Sequence, residues 1–456
     1  MSDHSPSTAT SADAEEFNTR PVPAGARLGF AKPAWVWSGF GIAFICAVIG
    51  GTIQQGLGTI DGIIAILLGN FLLFLYAAAL GYGAGKWGLN FPLSVKATFG
   101  SRGGWLPILI LGLLVTGWYS FHVWLTADIL SLAFGIESTA VVGIIALLVG
   151  LAYSLPVIFG IKSMALIRQI AIPAMVIFVI YYVATRVIPA GGDILVAEGT
   201  GEITFLAGVG MAWATFAVSG TMTGDIVRFV KTGKQAVGVT GVAFLASNAP
   251  FMVLGALIAA AIDDPEVVYF LDSTELTTVL PLAAIAILST WSTADACLYN
   301  ASMGFSNALL GVTWRVAGAI GTVIGLFLAV TGVIGDVGLV LDAIGLLVPP
   351  VGAVIIAEYF IMRRGVGYGM NRRSTVNTAA IVGVLVGLAV GIIADIAFPN
   401  WIFGLPAMAA SIVVYLLLAK TLGQKVGAEP PSLPAEAETV DKHPVVRAGE
   451  QISADR

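Results

Sequence analysis

The amino-acid sequence predicts an all-α integral membrane protein with twelve transmembrane helices. Of its 456 residues, 57% are hydrophobic and 11% are charged, whereas a soluble domain carries about 25% charged residues. The mean hydropathy is +0.93. Because one membrane span takes roughly 20 mainly apolar residues, the apolar part of the chain suffices for about a dozen spans. The 55 glycines fit this class, since small residues let transmembrane helices pack closely.

Apolar segments separated by polar turns define the individual helices. Spans 1 to 12 are predicted, in chain order, over residues 34–57, 60–84, 104–133, 139–160, 164–186, 203–228, 236–262, 275–308, 312–334, 337–362, 374–397 and 399–420. Between spans 2 and 3, residues 85–103 carry basic side chains and are predicted to form a short interfacial helix. The membrane domain thus extends over residues 34–421. The polar segments 1–33 and 422–456 are predicted to be disordered cytoplasmic tails.

The distribution of Lys and Arg orients these spans. If the N-terminus is cytoplasmic and every span crosses once, 21 of the 22 basic residues face the cytoplasm and only Arg186 lies outside. The predicted outer loops are acidic instead, with Asp193, Glu198, Glu202, Asp263, Asp264, Glu266, Asp272 and Glu275. This asymmetry is what the positive-inside rule requires. We therefore expect a multi-pass protein of the inner (plasma) membrane with both termini in the cytoplasm.

Two spans contain polar, glycine-containing interruptions. Residues 49–56 (IGGTIQQG) interrupt span 1, and residues 218–225 (VSGTMTGD) interrupt span 6. Broken helices in corresponding positions of two halves mark the binding site of many transporters. The two interruptions are five spans apart, so the halves, about 34–186 and 203–362, are predicted to be inverted repeats, with two additional helices at about 374–420. The alternative is that both interruptions are ordinary glycine-rich packing seams.

The residue types argue against other classes of membrane protein. Cys46 and Cys297 lie in apolar runs, and His122 is the one histidine inside a predicted span. A membrane-embedded enzyme needs clustered His, Asp or Glu on facing helices, and a channel needs a continuous polar stripe or charge ring. The sequence thus favours a transporter of a small solute in the lipid bilayer. It indicates no catalytic residue, no nucleic-acid partner and no obligatory protein partner.

Several motifs carry a family resemblance. They are PVPAGAR (21–27), TGW (116–118), SGTMTGDIVRF (219–229), TWSTADACLY (290–299) and VPPVGAVIIAEY (348–359). In this order the motifs resemble the nucleobase–cation symporter-1 family, and within it the cytosine permease branch. The resemblance implies a LeuT-like fold, which is a 5+5 inverted repeat plus two helices. It also implies cation-coupled uptake of a nucleobase such as cytosine, or of a related planar heterocycle.

The resemblance implies which residues bind the substrate. In relatives, an aromatic residue of span 3 and another of span 6 enclose the planar ring, and the matching residues here are Trp118 and Phe216. His122 lies one helical turn after Trp118 on the same face. A histidine satisfied by a neighbouring helix is the alternative interpretation. The remaining candidate substrate ligands are Thr215, Ser219, Gly220 and Ser289.

Three positions depart from the cytosine permease pattern. Val115 and Ser289 stand where that pattern has amide side chains, and Val218 stands in place of a hydroxyl. Unpaired buried polar groups discriminate sharply between close analogues. The alternative substrates are therefore hydantoin, allantoin or a pyrimidine vitamin precursor, with proton coupling.

Sodium is the expected coupling ion, and no other cofactor is expected. In sodium-driven relatives, carbonyl groups at the span 1 break and hydroxyl groups of span 8 bind the ion. The matching carbonyls are those of Gly39 and Ile42; the matching hydroxyls are Ser292 and Thr293, with Ser289 one turn earlier. Alternatively, these hydroxyls bond back to their own helix. The rival coupling is to protons, through Asp295 or His122.

Overall fold

The protein is described here from a computed structural model, which covers residues 17, 20–159, 161–262, 276–309, 312–335, 337–365, 376–398, 401–402 and 404–422. All regular secondary structure in these residues is helical, which confirms the predicted all-α class. Of the predicted loops and tails, residues 1–16, 18–19, 263–275, 366–375 and 423–456 lie outside the described residues.

Seven helices of nine or more residues form the first half of the chain. They are α1 (Ala31–Gly41), α2 (Phe44–Leu57), α3 (Thr59–Trp87), α4 (Phe91–Phe99), α5 (Trp105–Phe134), α6 (Thr139–Phe159) and α7 (Ile161–Tyr182). The predicted interfacial helix is present as α4. Its first turn is fixed by Asn90, whose side-chain oxygen accepts a hydrogen bond from the Leu93 N–H at 2.9 Å, as an N-cap residue does.

Nine helices follow in the second half. They are α8 (Phe205–Thr221), α9 (Gly224–Val227), α10 (Gly233–Gly241), α11 (Ala249–Ile262), α12 (Leu276–Ala308), α13 (Trp314–Val330), α14 (Val337–Ile356), α15 (Thr378–Ala397) and α16 (Gly404–Thr421). A π-helical turn, Val242–Asn248, joins α10 to α11. A second π-helical turn, Ala357–Met362, extends α14.

These helices account for the predicted spans. Nine helices of the described chain, counted with the turns that extend them, are long and apolar enough to cross a membrane. The pair α1 and α2, bent by 51°, meets the same criteria as one broken span. The shorter apolar helices α8 and α13 coincide with predicted spans 6 and 9. The exact number of crossings and the inverted repeat stay predictions.

The predicted position of the span 1 break is wrong. The chain leaves the helix at Ile42 (φ −96°, ψ 56°) and Ala43 (φ −103°, ψ 139°), whereas residues 49–56 are helical within α2. Their glycines serve packing, because a Cβ on Gly50 would collide with the carbonyl oxygen of Met252 in α11. The packing-seam alternative therefore applies to this segment.

The second interruption lies where it was predicted. Helix α8 ends at Thr221, and a turn at Met222 and Thr223 separates it from the four-residue helix α9. The turn is closed by backbone hydrogen bonds, with the Thr223 N–H donating to the Gly220 carbonyl at 3.3 Å.

The predicted disordered N-terminal tail ends earlier than residue 33. From Arg20 onward the chain lies against the ends of α3 and α9. The Val22 N–H donates to the Gly88 carbonyl at 2.8 Å, and the Leu28 N–H donates to the Phe229 carbonyl at 2.7 Å. Arg27 donates to the Lys86 carbonyl at 3.0 Å, which satisfies a carbonyl that the end of α3 leaves unpaired.

We predict that Gly50→Ala lowers the stability of the folded protein. The added methyl group would meet backbone atoms of α11, which cannot move independently, and overpacking of this kind destabilises by about 1–3 kcal/mol. The measurement is thermal unfolding of the purified protein in detergent. Gly143→Ala is the matched control, because its Cβ would lie 3.6 Å from Val330, an ordinary contact. Equal melting temperatures for the two variants would contradict the packing account.

Candidate functional site

The candidate site surrounds the break between α1 and α2. Helices α5, α8 and α12 supply the side chains that the sequence assigned to substrate and cation, and α12 packs against α2, α5 and α7. In a membrane, backbone that leaves the helix is tolerated where protein or a wet cavity surrounds it. Ala43 and Phe44 are buried, with exposures of 1% and 2%, so the break lies inside the helix bundle.

Trp118 and His122 occupy the middle of α5. Both are buried, and the two rings lie 6.1 Å apart. The Nδ1 atom of His122 is 2.7 Å from the carbonyl oxygen of Trp118. Because a carbonyl oxygen only accepts, Nδ1 carries the proton and Nε2 is a bare acceptor. Nε2 is buried and has no hydrogen-bond partner among the described residues. The histidine is thus half satisfied by its own helix and presents one free acceptor.

Phe216 and Thr215 lie in the C-terminal half of α8, which contacts α5. Both residues are buried. The Phe216 ring is 6.1 Å from the ring of Phe244, and Thr215 donates its hydroxyl hydrogen to the Met211 carbonyl at 2.9 Å. Ser219 is half-buried and Gly220 is buried. These residues stand just before the interruption at Met222, so the chain places them next to unwound backbone.

Ser289 joins α12 to the break. Its Oγ accepts a hydrogen bond from the Phe44 N–H at 3.0 Å. Phe44 begins α2, and the first N–H groups of a helix have no partner within it. Ser289 therefore holds the second half of span 1 against α12.

Ser292 and Thr293 follow on α12 and are buried, with exposures of 8% and 7%. Thr293 donates to the carbonyl oxygen of Ser289 at 3.1 Å, which is the back-bonding that we considered as an alternative. The two interpretations are compatible. A hydroxyl that donates its hydrogen to a carbonyl retains two lone pairs, and a cation needs those lone pairs.

Gly39 and Ile42 bring carbonyl groups to the same region. They belong to the last turn of α1 and its cap, where helix carbonyls lack partners within the helix. Close contacts position this turn. A Cβ on Gly39 would lie 3.0 Å from Cδ1 of Ile172 in α7, and one on Gly41 would lie 2.8 Å from the Ala243 carbonyl oxygen. In the described residues, no group of three or more His, Cys, Asp or Glu is placed to hold a metal ion.

Two polar contacts near the site were not predicted. One is an ion pair between Arg168 in α7 and Asp295 in α12, at 3.4 Å. The other is a hydrogen bond of 2.6 Å from the Asn248 side chain to that of Asn70. The asparagines and Asp295 are each 0% exposed. Polar residues inside apolar spans were the available signal, but a sequence alone does not say which of them meet.

Comparisons with known proteins show the family of this chain. One family profile, described as "Permease for cytosine/purines, uracil, thiamine, allantoin", matches residues 21–418. The cytosine permease of Escherichia coli K12 is 32% identical over 420 residues, which cover 90% of this chain and 96% of that protein. The hydantoin permease of Microbacterium maritypicum is 29% identical over 99 residues, or 21% of this chain and 19% of that protein.

Solved structures show the same fold. Mhp1, a nucleobase-cation-symport-1 family transporter, matches in a closed conformation with bromovinylhydantoin bound, with a TM-score of 0.75, 19% identity and coverage of 92% of this chain and 98% of that chain. A Na+-coupled sialic acid symporter in an outward-open state matches with a TM-score of 0.60 and 13% identity, over 90% of this chain and 92% of that chain. The LeuT-like resemblance is thereby confirmed as a fold.

We predict that Ser289→Ala destabilises the protein more than Ser302→Ala does. The first change leaves the buried Phe44 N–H unpaired, and an unsatisfied buried donor costs about 1–3 kcal/mol. Ser302 lies on the same helix and is 0% exposed. Among the described residues its one hydrogen bond is to the Leu298 carbonyl, so its loss leaves no described donor unpaired. Thermal unfolding of both variants measures the difference. A larger effect for Ser302→Ala would show that Ser289 does not hold the break.

Proposed function

Because the chain belongs to the family of permeases for cytosine and purines, uracil, thiamine and allantoin, we propose that it is a cation symporter that takes up a nucleobase such as cytosine or a related planar heterocycle. The family and the fold make it a membrane transporter of small molecules, and the relatives are permeases, not enzymes. One observation supports the finer proposal most. Ser289 of α12 bonds to the Phe44 N–H at the buried break of span 1, and α12 packs against α5, the helix that carries Trp118 and His122.

The substrate ring is proposed to lie between Trp118 and Phe216. A flat, uncharged, polar ring gains stacking from both faces, and each base–aromatic contact contributes about 1–3 kcal/mol in other systems. His122 would then accept a hydrogen bond from a ring N–H through its free Nε2. Thr215, Ser219 and Gly220, beside the span 6 interruption, would contact the edge of the ring.

A second substrate class is favoured by a specific observation. Val115 and Val218 are both buried and cannot form hydrogen bonds through their side chains, and Ser289 is already bonded to the Phe44 N–H. A substrate that needs amide partners at these positions would leave its own polar atoms unpaired. Hydantoin, allantoin or a pyrimidine vitamin precursor, coupled to protons through His122 or Asp295, is therefore the alternative.

Sodium is the proposed coupling ion. The carbonyls of Gly39 and Ile42 and the hydroxyls of Ser289, Ser292 and Thr293 are neutral oxygen ligands, which suit a hard cation, and the C-terminal end of α1 adds a favourable dipole. One sodium ion gains about 2.3 kcal/mol at −100 mV, and a tenfold gradient adds about 1.4 kcal/mol. Together these concentrate a neutral solute on the order of 500-fold.

The proposed location is the inner (plasma) membrane with both termini in the cytoplasm. Support comes from the basic residues of the described chain. Arg20 and Arg27 precede span 1, Lys86 and Lys96 follow span 2, and Lys231 follows span 6, as the positive-inside rule requires for this orientation.

We predict that Trp118→Ala and Phe216→Ala each weaken substrate binding by roughly 5- to 150-fold, the loss of one stacking contact. The measurement is binding of a panel of nucleobases, hydantoins and vitamin precursors to purified protein. Phe251→Ala is the control, because this Phe is also buried but lies on α11. Near-normal affinity in either site variant would reject that residue as a stacking partner. On the same panel, His122→Ala should change the ranking of the heterocycles more than the overall affinity.

We also predict that Ser292→Ala together with Thr293→Ala abolishes stimulation of uptake by sodium. The change removes two oxygen ligands and no charge, so loss of the ion is the expected consequence. Uptake into proteoliposomes is measured while choline replaces sodium at fixed pH, with Ser302→Ala as the control on the same helix. Uptake that does not depend on sodium, depends on a proton gradient and is retained in the double variant would show that transport is coupled to protons instead.

A further inference from the structure

Arg168 links helices α7, α1 and α12 close to the break. It projects from α7, and its guanidinium carbon lies 5.1 Å from the centre of the Phe40 ring in α1. Its Nη2 atom lies 3.4 Å from Oδ1 of Asp295 in α12. Ile172, one turn after Arg168, packs on Gly39. The last turn of α1 therefore rests on the face of α7 that carries Arg168.

These contacts adjoin the proposed cation ligands. Asp295 lies three residues after Ser292, on the same face of α12. Phe40 lies between Gly39 and Ile42, whose carbonyls are the proposed ligands from α1. The contact between the Arg168 guanidinium and the Phe40 ring therefore fixes the turn of α1 that would present its carbonyls to the ion.

A series of buried aromatic rings connects Phe40, which contacts Arg168, to the proposed substrate site. The Phe40 ring lies 5.3 Å from that of Trp37, and the Trp37 ring lies 5.5 Å from that of Phe244. Phe244 in turn lies 6.1 Å from Phe216. The exposures of the four rings are between 1% and 8%. Phe216, the proposed stacking residue of α8, is thus connected to Arg168 through three rings, Phe244 and the two aromatic residues of α1.

The Arg168–Asp295 ion pair suits a contact that opens and closes better than one that stabilises the fold. Replacing a buried ion pair with apolar residues is often neutral or stabilising, so such a pair is weak evidence for stability. The pair here is also incomplete. Asp295 is 0% exposed, and its Oδ2 has no hydrogen-bond partner among the described residues. An unpaired buried carboxylate oxygen raises the free energy of this arrangement relative to one in which both oxygens are bonded.

We propose that Arg168, clamped between Asp295 and the ring of Phe40, is a positioning residue that latches α1 to α7 and α12. The rings of Phe40, Trp37, Phe244 and Phe216 connect this latch to the bound substrate. The second part rests on the proposed function. A substrate stacked on Phe216 holds Phe244 and Trp37, and thereby α1, in the position that presents the Gly39 and Ile42 carbonyls to the cation. Because binding couplings are reciprocal, the cation in turn favours substrate binding.

The test uses two latch variants, Phe40→Leu and the neutral pair Arg168→Gln with Asp295→Asn. Neither leaves an unpaired charge, so both are expected to fold. The matched controls are Phe251→Leu and the neutralised second ion pair, Arg363→Gln with Glu358→Gln, whose partners lie 2.7 Å apart. All variants carry Ala34→Cys on α1 in a background with Cys46 and Cys297 replaced by alanine.

The first measurement is the rate of maleimide labelling at position 34 in purified protein in nanodiscs. Ala34 is 6% exposed, so labelling reports release of α1. We expect labelling about tenfold faster in both latch variants, the range of a typical coupling, and unchanged labelling in the controls. The second measurement is the ratio of cytosine affinities with and without sodium, which is expected to fall from about tenfold to less than about twofold.

The two measurements separate the latch from the proposed function. Labelling that is unchanged in the latch variants, or equally accelerated in the controls, overturns the latch. Faster labelling confined to the latch variants supports it, even if the unmodified protein shows no response to sodium; that result rejects sodium coupling alone. A sodium response that survives in variants with faster labelling overturns the connection through the rings.

Discussion

The backbone break between Ile42 and Ala43 is the constraint on which the rest of the structure depends. Within a membrane, every backbone polar group must be satisfied by the protein or by a wet cavity. A broken span therefore needs partners on other helices. Ser289 supplies one by accepting from the Phe44 N–H. The carbonyls at the end of α1 have no such partner within the helix. The site is arranged around these groups because the chain cannot leave them unpaired.

The two halves of span 1 are held in different ways. Helix α2 is pinned to α11 by direct backbone approach, since a Cβ on Gly50 or on Gly255 would collide with backbone atoms of the other helix. Helix α1 makes one close backbone approach at its end, where a Cβ on Gly41 would lie 2.8 Å from the Ala243 carbonyl oxygen. Its other named contacts are between side chains, with Phe40 against Arg168 and Trp37 against Phe244. Helix α2 is thus in contact with α11 through backbone atoms, whereas α1 contacts Arg168 through a side chain. If one half of span 1 moves during transport, its side-chain contacts make α1 the half that we expect to move.

The sequence was sufficient for the helices and insufficient for the contacts between them. Hydropathy and the basic residues report the surroundings of each segment, so every predicted span has a helical counterpart. The run IGGTIQQG was misassigned because glycine serves equally for an unwound turn and for close helix packing, and only the position of Met252 decides between them. Likewise, nothing local pairs Arg168 with Asp295 across 127 residues of chain. The motif residues Trp118, Phe216 and Ser289 are proposed for the site because a family resemblance carries non-local information.

The electrostatics of the break favour neutral oxygen ligands over a carboxylate for a bound cation. Asp295, the carboxylate nearest in sequence to Ser292, is paired with Arg168, so the pair contributes little net charge. A cation beside Ser292 and Thr293 would then be stabilised by hydroxyl lone pairs and by the negative end of the α1 dipole. Such ligands bind more weakly than a charged cage, and a transporter must also release its ion. Since the dipole belongs to α1, a displacement of α1 would weaken the proposed cation site directly. The affinity for a bound ion would thus depend on the position of α1.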